Sequence, residues 1–334
     1  MLQHVRGILC FPALLAAACA GAEVTLRPAE EWSDVFSGVP VRLQYRIEAP
    51  QGFRGRLGWA LSVAGSTLAR REQAVAVNPG RPETVAIAFE LPKVKPGVIM
   101  EARLSAAVYG QEAAPPAAPH ERTLWVFCDD PFALQTEWVK QVGIVLFDPE
   151  GKTQKVFEKA RVPFTAAGNL DAVAELSKGL LVVGEGTSFE DYPGLPGVMV
   201  KLAARGVPVC CLAPSGGRFV LPGSEGAEGA PSRLALRRSD VIGEFDKRLD
   251  AAAWPPDGKV VASSLAVKSR REAVVAEAVA GESGWPWLAI SFPRDRGKLI
   301  VCGFGIVSHW EAGPAPRFLL ARILESLDGK ENPK

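Results

Sequence analysis

The sequence predicts two folded units, an antiparallel β-sandwich followed by an α/β layer with a doubly wound, mainly parallel sheet and an antiparallel edge hairpin. Three observations carry this. Between residues 23 and 127 the apolar residues alternate with polar ones at period two. Further on, Gly179-Leu180-Leu181-Val182-Val183-Gly184-Glu185-Gly186 and Gly206-Val207-Pro208-Val209-Cys210-Cys211-Leu212-Ala213 are unbroken apolar runs closed by small residues, with a helix-competent segment, Tyr192 to Arg205, between them. Near the end, Pro293-Arg294-Asp295-Arg296-Gly297 separates two apolar strands and reads as a hairpin turn.

In the first unit, Val41, Leu43, Tyr45 and Ile47 alternate with Arg42, Gln44, Arg46 and Glu48. Leu57, Trp59, Leu61 and Val63 repeat the scheme, as do Val85, Ile87 and Phe89, then Leu104, Ala106 and Val108. Pro50-Gln51-Gly52, Asn78-Pro79-Gly80 and Lys95-Pro96-Gly97 supply turns between them. The Ala/Pro-rich segment 111–119 is expected as a loop before a last strand, Thr123 to Phe127. About seven strands follow from this spacing.

The pattern changes at Cys128-Asp129-Asp130-Pro131. Strands are expected at Gly143 to Phe147 and Val162 to Ala166, and helices at Gly151 to Ala160 and Leu170 to Leu176, the latter capped by Asn169. Gly223 to Pro231 reads as a mobile loop, and Trp254-Pro255-Pro256-Asp257-Gly258 as another break. Val274 to Val279, Trp287 to Phe292 and Lys298 to Phe304 are late strands, and Pro316 to Leu327 is a closing helix with Phe318, Leu319, Ile323 and Leu327 inward.

The 334 residues are 48 % apolar and 22 % charged, with net charge +1 and no basic run. That composition is globular and offers nothing to nucleic acid or an anionic membrane. The start, with Arg6, an apolar stretch from Gly7 to Ala18 and Ala20-Gly21-Ala22, fits a signal peptide over residues 1–22. The stretch is too short for a transmembrane segment, so export to the periplasm or the extracellular space is expected, with lipidation at Cys19 as the rival. Cys128, Cys210, Cys211 and Cys302 remain in the mature chain, mostly inside apolar runs, and no C-x-x-C is present. With only His4, His120 and His309 as histidines, neither a metal nor another cofactor is expected.

Residues 140–327 resemble class I glutamine amidotransferase-like domains, which are flavodoxin-like layers, so residues 128–334 are expected to form such a domain. The likeness rests on Val183-Gly184-Glu185-Gly186, on Ala204-Arg205-Gly206-Val207-Pro208-Val209, and on Lys298-Leu299-Ile300-Val301-Cys302-Gly303 with Phe318-Leu319-Leu320. Active members carry a nucleophilic cysteine in a G-x-C-x-G turn after the fourth strand. The resemblance places that position on Ala213, with Cys211 two residues early, while His309-Trp310-Glu311 keeps the His-x-Glu finish. A histidine–carboxylate pair without its thiol forms no acyl intermediate. Trp59 likewise gives residues 23–127 an immunoglobulin-like resemblance, without the cysteine pair.

Ligands of parallel sheets sit beyond the carboxyl ends of the strands, which singles out Glu185, Gly186, Ser215, Gly216 and Gly217 as a binding edge. The expectation is a non-catalytic binding or assembly protein, carbohydrate-associated by family company, whose partner is a carbohydrate or another exported protein. Its rival is a secreted hydrolase: Ala213-Pro214-Ser215-Gly216-Gly217 fits a loose nucleophile elbow, with Ser215, His309 and Glu311 as catalytic candidates and Asp240, Asp246 or Asp257 as further acids. Glu185 with Glu190 and Asp191 offers paired carboxylates for acid–base work, or helix-start acids favoured by the dipole. Trp285, Trp287 and Trp310 are candidates for stacking on a sugar or for packing.

Overall fold

The computed structural model describes residues 24–110, 119–221, 231–255, 259–260, 266–269, 276–277, 286–293 and 297–328. The expected signal peptide, Cys19, the loops at 111–118 and 223–230, Trp285 and Asp257 lie outside the described residues. The structure is mostly β, with several sheets and few helices.

The first eight strands are β1 (Thr25–Pro28), β2 (Asp34–Phe36), β3 (Pro40–Glu48), β4 (Phe53–Val63), β5 (Ser66–Val77), β6 (Glu83–Glu90), β7 (Met100–Gly110) and β8 (His120–Phe127). They form two sheets, ordered β1-β3-β6 and β2-β8-β7-β4-β5. All pairs are antiparallel except β2 with β8. The alternation explains the core: Val41, Leu43, Tyr45 and Ile47 of one sheet and Leu57, Trp59 and Leu61 of the other are buried together. Trp59 packs on Phe89 with ring centroids 6.1 Å apart.

After Phe127 come α1 (Thr136–Val142), β9 (Ile144–Phe147), α2 (Lys152–Lys159), β10 (Thr165–Ala166), α3 (Leu170–Ala174), β11 (Leu180–Val183), α4 (Leu195–Arg205) and β12 (Val209–Leu212). The remainder holds β13 (Arg218–Leu221), β14 (Arg233–Arg237), α5 (Asp240–Phe245), β15 (Ala266–Ser269), β16 (Ala276–Glu277), β17 (Trp287–Ser291), β18 (Lys298–Cys302) and α6 (Pro314–Leu327).

One seven-stranded sheet runs β10-β9-β11-β12-β18-β17-β14. Its first five strands are parallel, β17 runs against them, and β14, antiparallel to β17, runs in their direction. Successive residues of the buried strands face opposite layers. Leu180, Val182, Cys210, Leu212, Ile300 and Cys302 pack with α6 and Phe157 of α2. Leu181, Val183, Val209, Cys211, Leu299 and Val301 pack with Met199, Leu202 and Ala203 of α4. Helices therefore cover both faces, which is why these strands are apolar without alternation. Asn169 caps α3 by accepting from Ala172 N at 2.9 Å. Phe318, Leu319, Ile323 and Leu327 are all buried on α6.

Several expectations need correction. The predicted strand Val162 to Ala166 is reduced to Thr165–Ala166, both exposed. The predicted strand Val274 to Val279 is described only at Ala276–Glu277, and it belongs to a separate small sheet, β13-β15-β16. The strand β14 and the helices α1 and α5 were not foreseen. The last strand of the sandwich begins at His120, three residues earlier than read. No helix of the described residues is long and apolar enough to cross a membrane.

The two halves touch through several specific contacts. Phe127 packs on Phe318 with centroids 4.7 Å apart, and the Arg317 guanidinium lies 4.5 Å from the Phe36 ring centroid. The Asp250 carboxylate accepts from Ser33 N, Ser33 Oγ and Asp34 N at 2.7–3.1 Å.

Candidate functional site

At the carboxyl end of β12 the chain turns at Ala213, whose φ of 26° is in the left-handed region that non-glycine residues avoid. The corner is held from both sides: Ala213 N donates to Cys302 O at 2.6 Å and Gly186 N donates to Ala213 O at 3.0 Å. The loop after β12 is then stitched to the loop after β11. Ser215 N donates to Thr187 O at 3.2 Å and Phe189 N to Gly216 O at 3.0 Å. The Ser215 hydroxyl donates to Gly186 O at 2.6 Å. Gly217 is at φ 83°, and a Cβ there would come within 2.7 Å of Phe189 Cβ, so only glycine fits the close approach.

Glu185, Gly186, Ser215, Gly216 and Gly217 are thus brought together, and they bind one another. Glu185 is buried. Its N–H donates to Thr153 Oγ1 at 2.8 Å, and its carboxylate accepts from Val307 N at 2.6 Å and Ser308 N at 3.0 Å. Those two N–H groups belong to the turn that carries His309, so Glu185 positions that turn. Beside it, Asp148 follows β9 and does the same for α2. Its Oδ2 accepts from Gln154 N at 2.7 Å, while Oδ1 is buried without a hydrogen-bond partner among the described residues. Burial, opposed by these backbone donors, raises the Asp148 carboxyl above its ordinary value. At this edge the chain's own carboxylates thus accept from backbone N–H groups of the 307–308 turn and of α2.

The catalytic candidates do not meet as a triad. Ser215 spends its hydroxyl on Gly186. His309 Nδ1 is 3.0 Å from Gly305 O and 3.1 Å from Ser308 Oγ, and the ring lies 6.2 Å from that of Trp254. Glu311 is exposed and ion-paired with Lys159 at 2.6 Å and Arg317 at 2.8 Å, the Lys159 bond first among the causes that lower its carboxyl. Asp240 pairs with Arg237 at 2.7 Å and Asp246 with Arg248 at 2.7 Å, so neither orients an imidazole.

Glu190 and Asp191 precede α4, which starts at Leu195 with Pro196 in its first turn, by five and four residues. Their N–H groups both reach Ser188 Oγ at 3.2 Å, so they belong to a turn, and the dipole explanation fails. Trp287 and Trp310 are buried in packing, Trp287 against Phe245 at 5.3 Å.

Cys128, Cys210, Cys211 and Cys302 are free and buried. Burial pushes the thiols of Cys210, Cys211 and Cys302 far up, which suppresses the thiolate. Among the described residues no group of three or more histidine, cysteine or acidic side chains is arranged to hold a metal. A groove of about 410 Å³ lies instead over β14, β17 and β18, lined by Arg233, Arg237, Glu244, Phe245, Trp287 and Lys298.

Residue-by-residue reading missed a second polar cluster, inside the sandwich. Trp32, Tyr45, His120 and Arg122 gather there between the two sheets. The signal was present in β8: period two puts His120 and Arg122 on the same face as Leu124 and Val126, which point into the core.

No family model matches the chain, and no curated protein matches it. Solved structures give partial likenesses. Spo0M, a sporulation control protein from Bacillus subtilis, is similar over 35 % of this chain and 54 % of its own, at 13 % identity and a TM-score of 0.26. A cycloisomaltooligosaccharide glucanotransferase from Paenibacillus sp. is similar over 55 % of this chain and 27 % of its own, at 8 % identity and a TM-score of 0.26. A β-glucosidase from Listeria innocua is similar over 31 % of this chain and 16 % of its own, at 14 % identity and a TM-score of 0.24. The chain spans about half or less of each of these three structures, and likenesses of this size carry no functional weight.

Proposed function

We propose that the protein is an exported, non-catalytic binding or assembly protein, an immunoglobulin-like sandwich followed by a doubly wound, amidotransferase-like layer that has lost its nucleophile. The observation that carries this reading is Ala213. It keeps the left-handed corner after a central parallel strand, with φ 26°, yet bears a methyl group where the resemblance expects a thiol. Such strained corners cost roughly 1–2 kcal/mol. The neighbouring thiols are buried, and the two loops of the edge are bonded to each other. The strand order β10-β9-β11-β12, with helices on both faces, favours the flavodoxin-like assignment.

Carbohydrate is the ligand class favoured by the company this family keeps, which is analogy. The test has two arms. Purified protein is treated with a fluorophosphonate probe and with an electrophilic thiol probe, and is screened against a glycan array. No labelling at Ser215 or at any cysteine, together with saturable glycan binding, is the expected result. Stoichiometric fluorophosphonate labelling that disappears in Ser215→Ala would replace this reading with the hydrolase.

A further inference from the structure

The sandwich buries a cation that no carboxylate touches among the described residues, with Asp250 acting on it only at longer range. Arg122 is 9 % exposed, and no ion pair reaches it among the described residues. Its Nη2 donates to Trp32 O, while Nη1 is buried with no hydrogen-bond partner among the described residues. Trp32 Nε1 and His120 Nδ1 of the same cluster are also buried without a hydrogen-bond partner among the described residues, while the Tyr45 hydroxyl faces Arg122. Their closeness is explicit. The Arg122 guanidinium carbon is 5.6 Å from the Trp32 ring centroid, and the rings of Tyr45 and His120 meet edge-on at 5.6 Å. Arg122 also acts on Tyr45 by charge and by a side-chain hydrogen bond, and on His120 by charge.

Burying a guanidinium is costly unless an anion faces it, and buried donors are almost always satisfied. Here three unsatisfied atoms fall in one place, and Arg122 and Trp32 supply N–H groups that touch no carboxylate among the described residues. The carboxylates nearest in effect are engaged elsewhere: Glu30 accepts from Gln44 N at 2.9 Å, and Asp250 holds Ser33 and Asp34. We propose that Arg122, Trp32, Tyr45 and His120 form a binding site for a compact monovalent anion of halide size, enclosed between the two sheets of the sandwich.

The ligand must be small because Tyr45 is fully buried and Trp32 and Arg122 nearly so, with His120 the most accessible member. Burial first, and then Arg122, lowers the His120 imidazole, so this ring is neutral near pH 7 and offers a single N–H. An anion here would also brace the junction of the two halves. The Trp32 carbonyl that Arg122 holds is followed by Ser33 and Asp34, the residues gripped by Asp250.

The test compares thermal unfolding of the purified protein in sodium chloride, sodium bromide and sodium gluconate at one ionic strength. The expected result is a saturable rise of roughly 2–4 °C in either halide over gluconate, as for a ligand that binds only the folded state. That rise should vanish in Arg122→Gln. Should Arg122→Gln not fold, Trp32→Phe keeps the bulk, removes one donor and should shift the halide midpoint to higher concentration. Crystals grown in bromide should show anomalous signal beside Arg122. Equal melting in all three salts, a halide effect that survives Arg122→Gln, or an ordered water with no bromide signal would each overturn the proposal.

Discussion

Asp34 and Asp250 hold each other across the junction of the two halves: Asp250 N donates to Asp34 Oδ2 at 3.2 Å, and Asp34 N donates to Asp250 Oδ2 at 3.0 Å. Two carboxylates placed so closely and so deeply do not both ionise easily. Burial is the largest cause raising Asp34 well above the usual carboxylate value, and Asp250 and Asp246 add to it while Arg248 opposes. Asp250 is raised too, again first by burial, against the pull of its Ser33 donors and of Arg122.

A pH dependence follows. A carboxyl raised on folding contributes its stability in full below the unfolded value of about 4, and loses it as pH rises through the folded value. Asp34→Asn keeps an acceptor for Asp250 N and removes the titration. Its melting temperature relative to the wild type should therefore climb between pH 4 and pH 8. A difference that stays flat, or falls, across that range in paired calorimetric scans would refute the argument.

Ala213 carries the backbone strain of the β12 corner. Ala213→Gly should be neutral to stabilising, by up to about 1 kcal/mol, because glycine takes φ 26° at little cost. Ala213→Val should lose roughly 2 kcal/mol or more, since a β-branched side chain tolerates that region worst and the site is buried. Urea midpoints at constant m-value decide both.

Glu185 should matter more than Ser215. Removing its carboxylate in Glu185→Ala strands two N–H groups of the Val307–Ser308 turn, at a cost of about 3 kcal/mol. Ser215→Ala removes one exposed hydroxyl bond and should cost about 1 kcal/mol or less. If denaturant titration ranks the two variants the other way, the strut role assigned to Glu185 is wrong.

The cysteines give a kinetic readout. Cys210, Cys211 and Cys302 are 0 % exposed and Cys128 is 6 % exposed. A disulfide-exchange reagent should find essentially no thiol in the native protein and four on adding denaturant to residues 23–334. Fast modification of Cys211 under native conditions would show an accessible nucleophile and sink the non-catalytic reading.

The parallel strands were legible because a strand covered on both faces must be apolar throughout, as Leu180–Val183 and Val209–Leu212 are. Strand β14 was not: Arg233-Leu234-Ala235-Leu236-Arg237 is short and half-exposed, and its partner β17 is fifty or more residues away. The carboxyl-edge residues were legible as a group, since topology alone assembles them. What they do to each other was not, because Glu185 takes its partners from residues 307 and 308. Arg122 looked like any polar residue of an alternating strand, and its inward register emerges only once the strand is extended back to His120.

Strand β14 ends the seven-stranded sheet, so among the described residues one side of its main chain faces no neighbouring strand. Such a rim invites a second molecule to add itself by backbone pairing. Were two copies to meet there antiparallel about Ala235, Arg233 of each would stand opposite Arg237 of the other. Like charges set directly across a ladder repel. Arg237 spends much of its charge on Asp240 and Glu244, so the arginines that line the groove oppose growth into fibres only weakly.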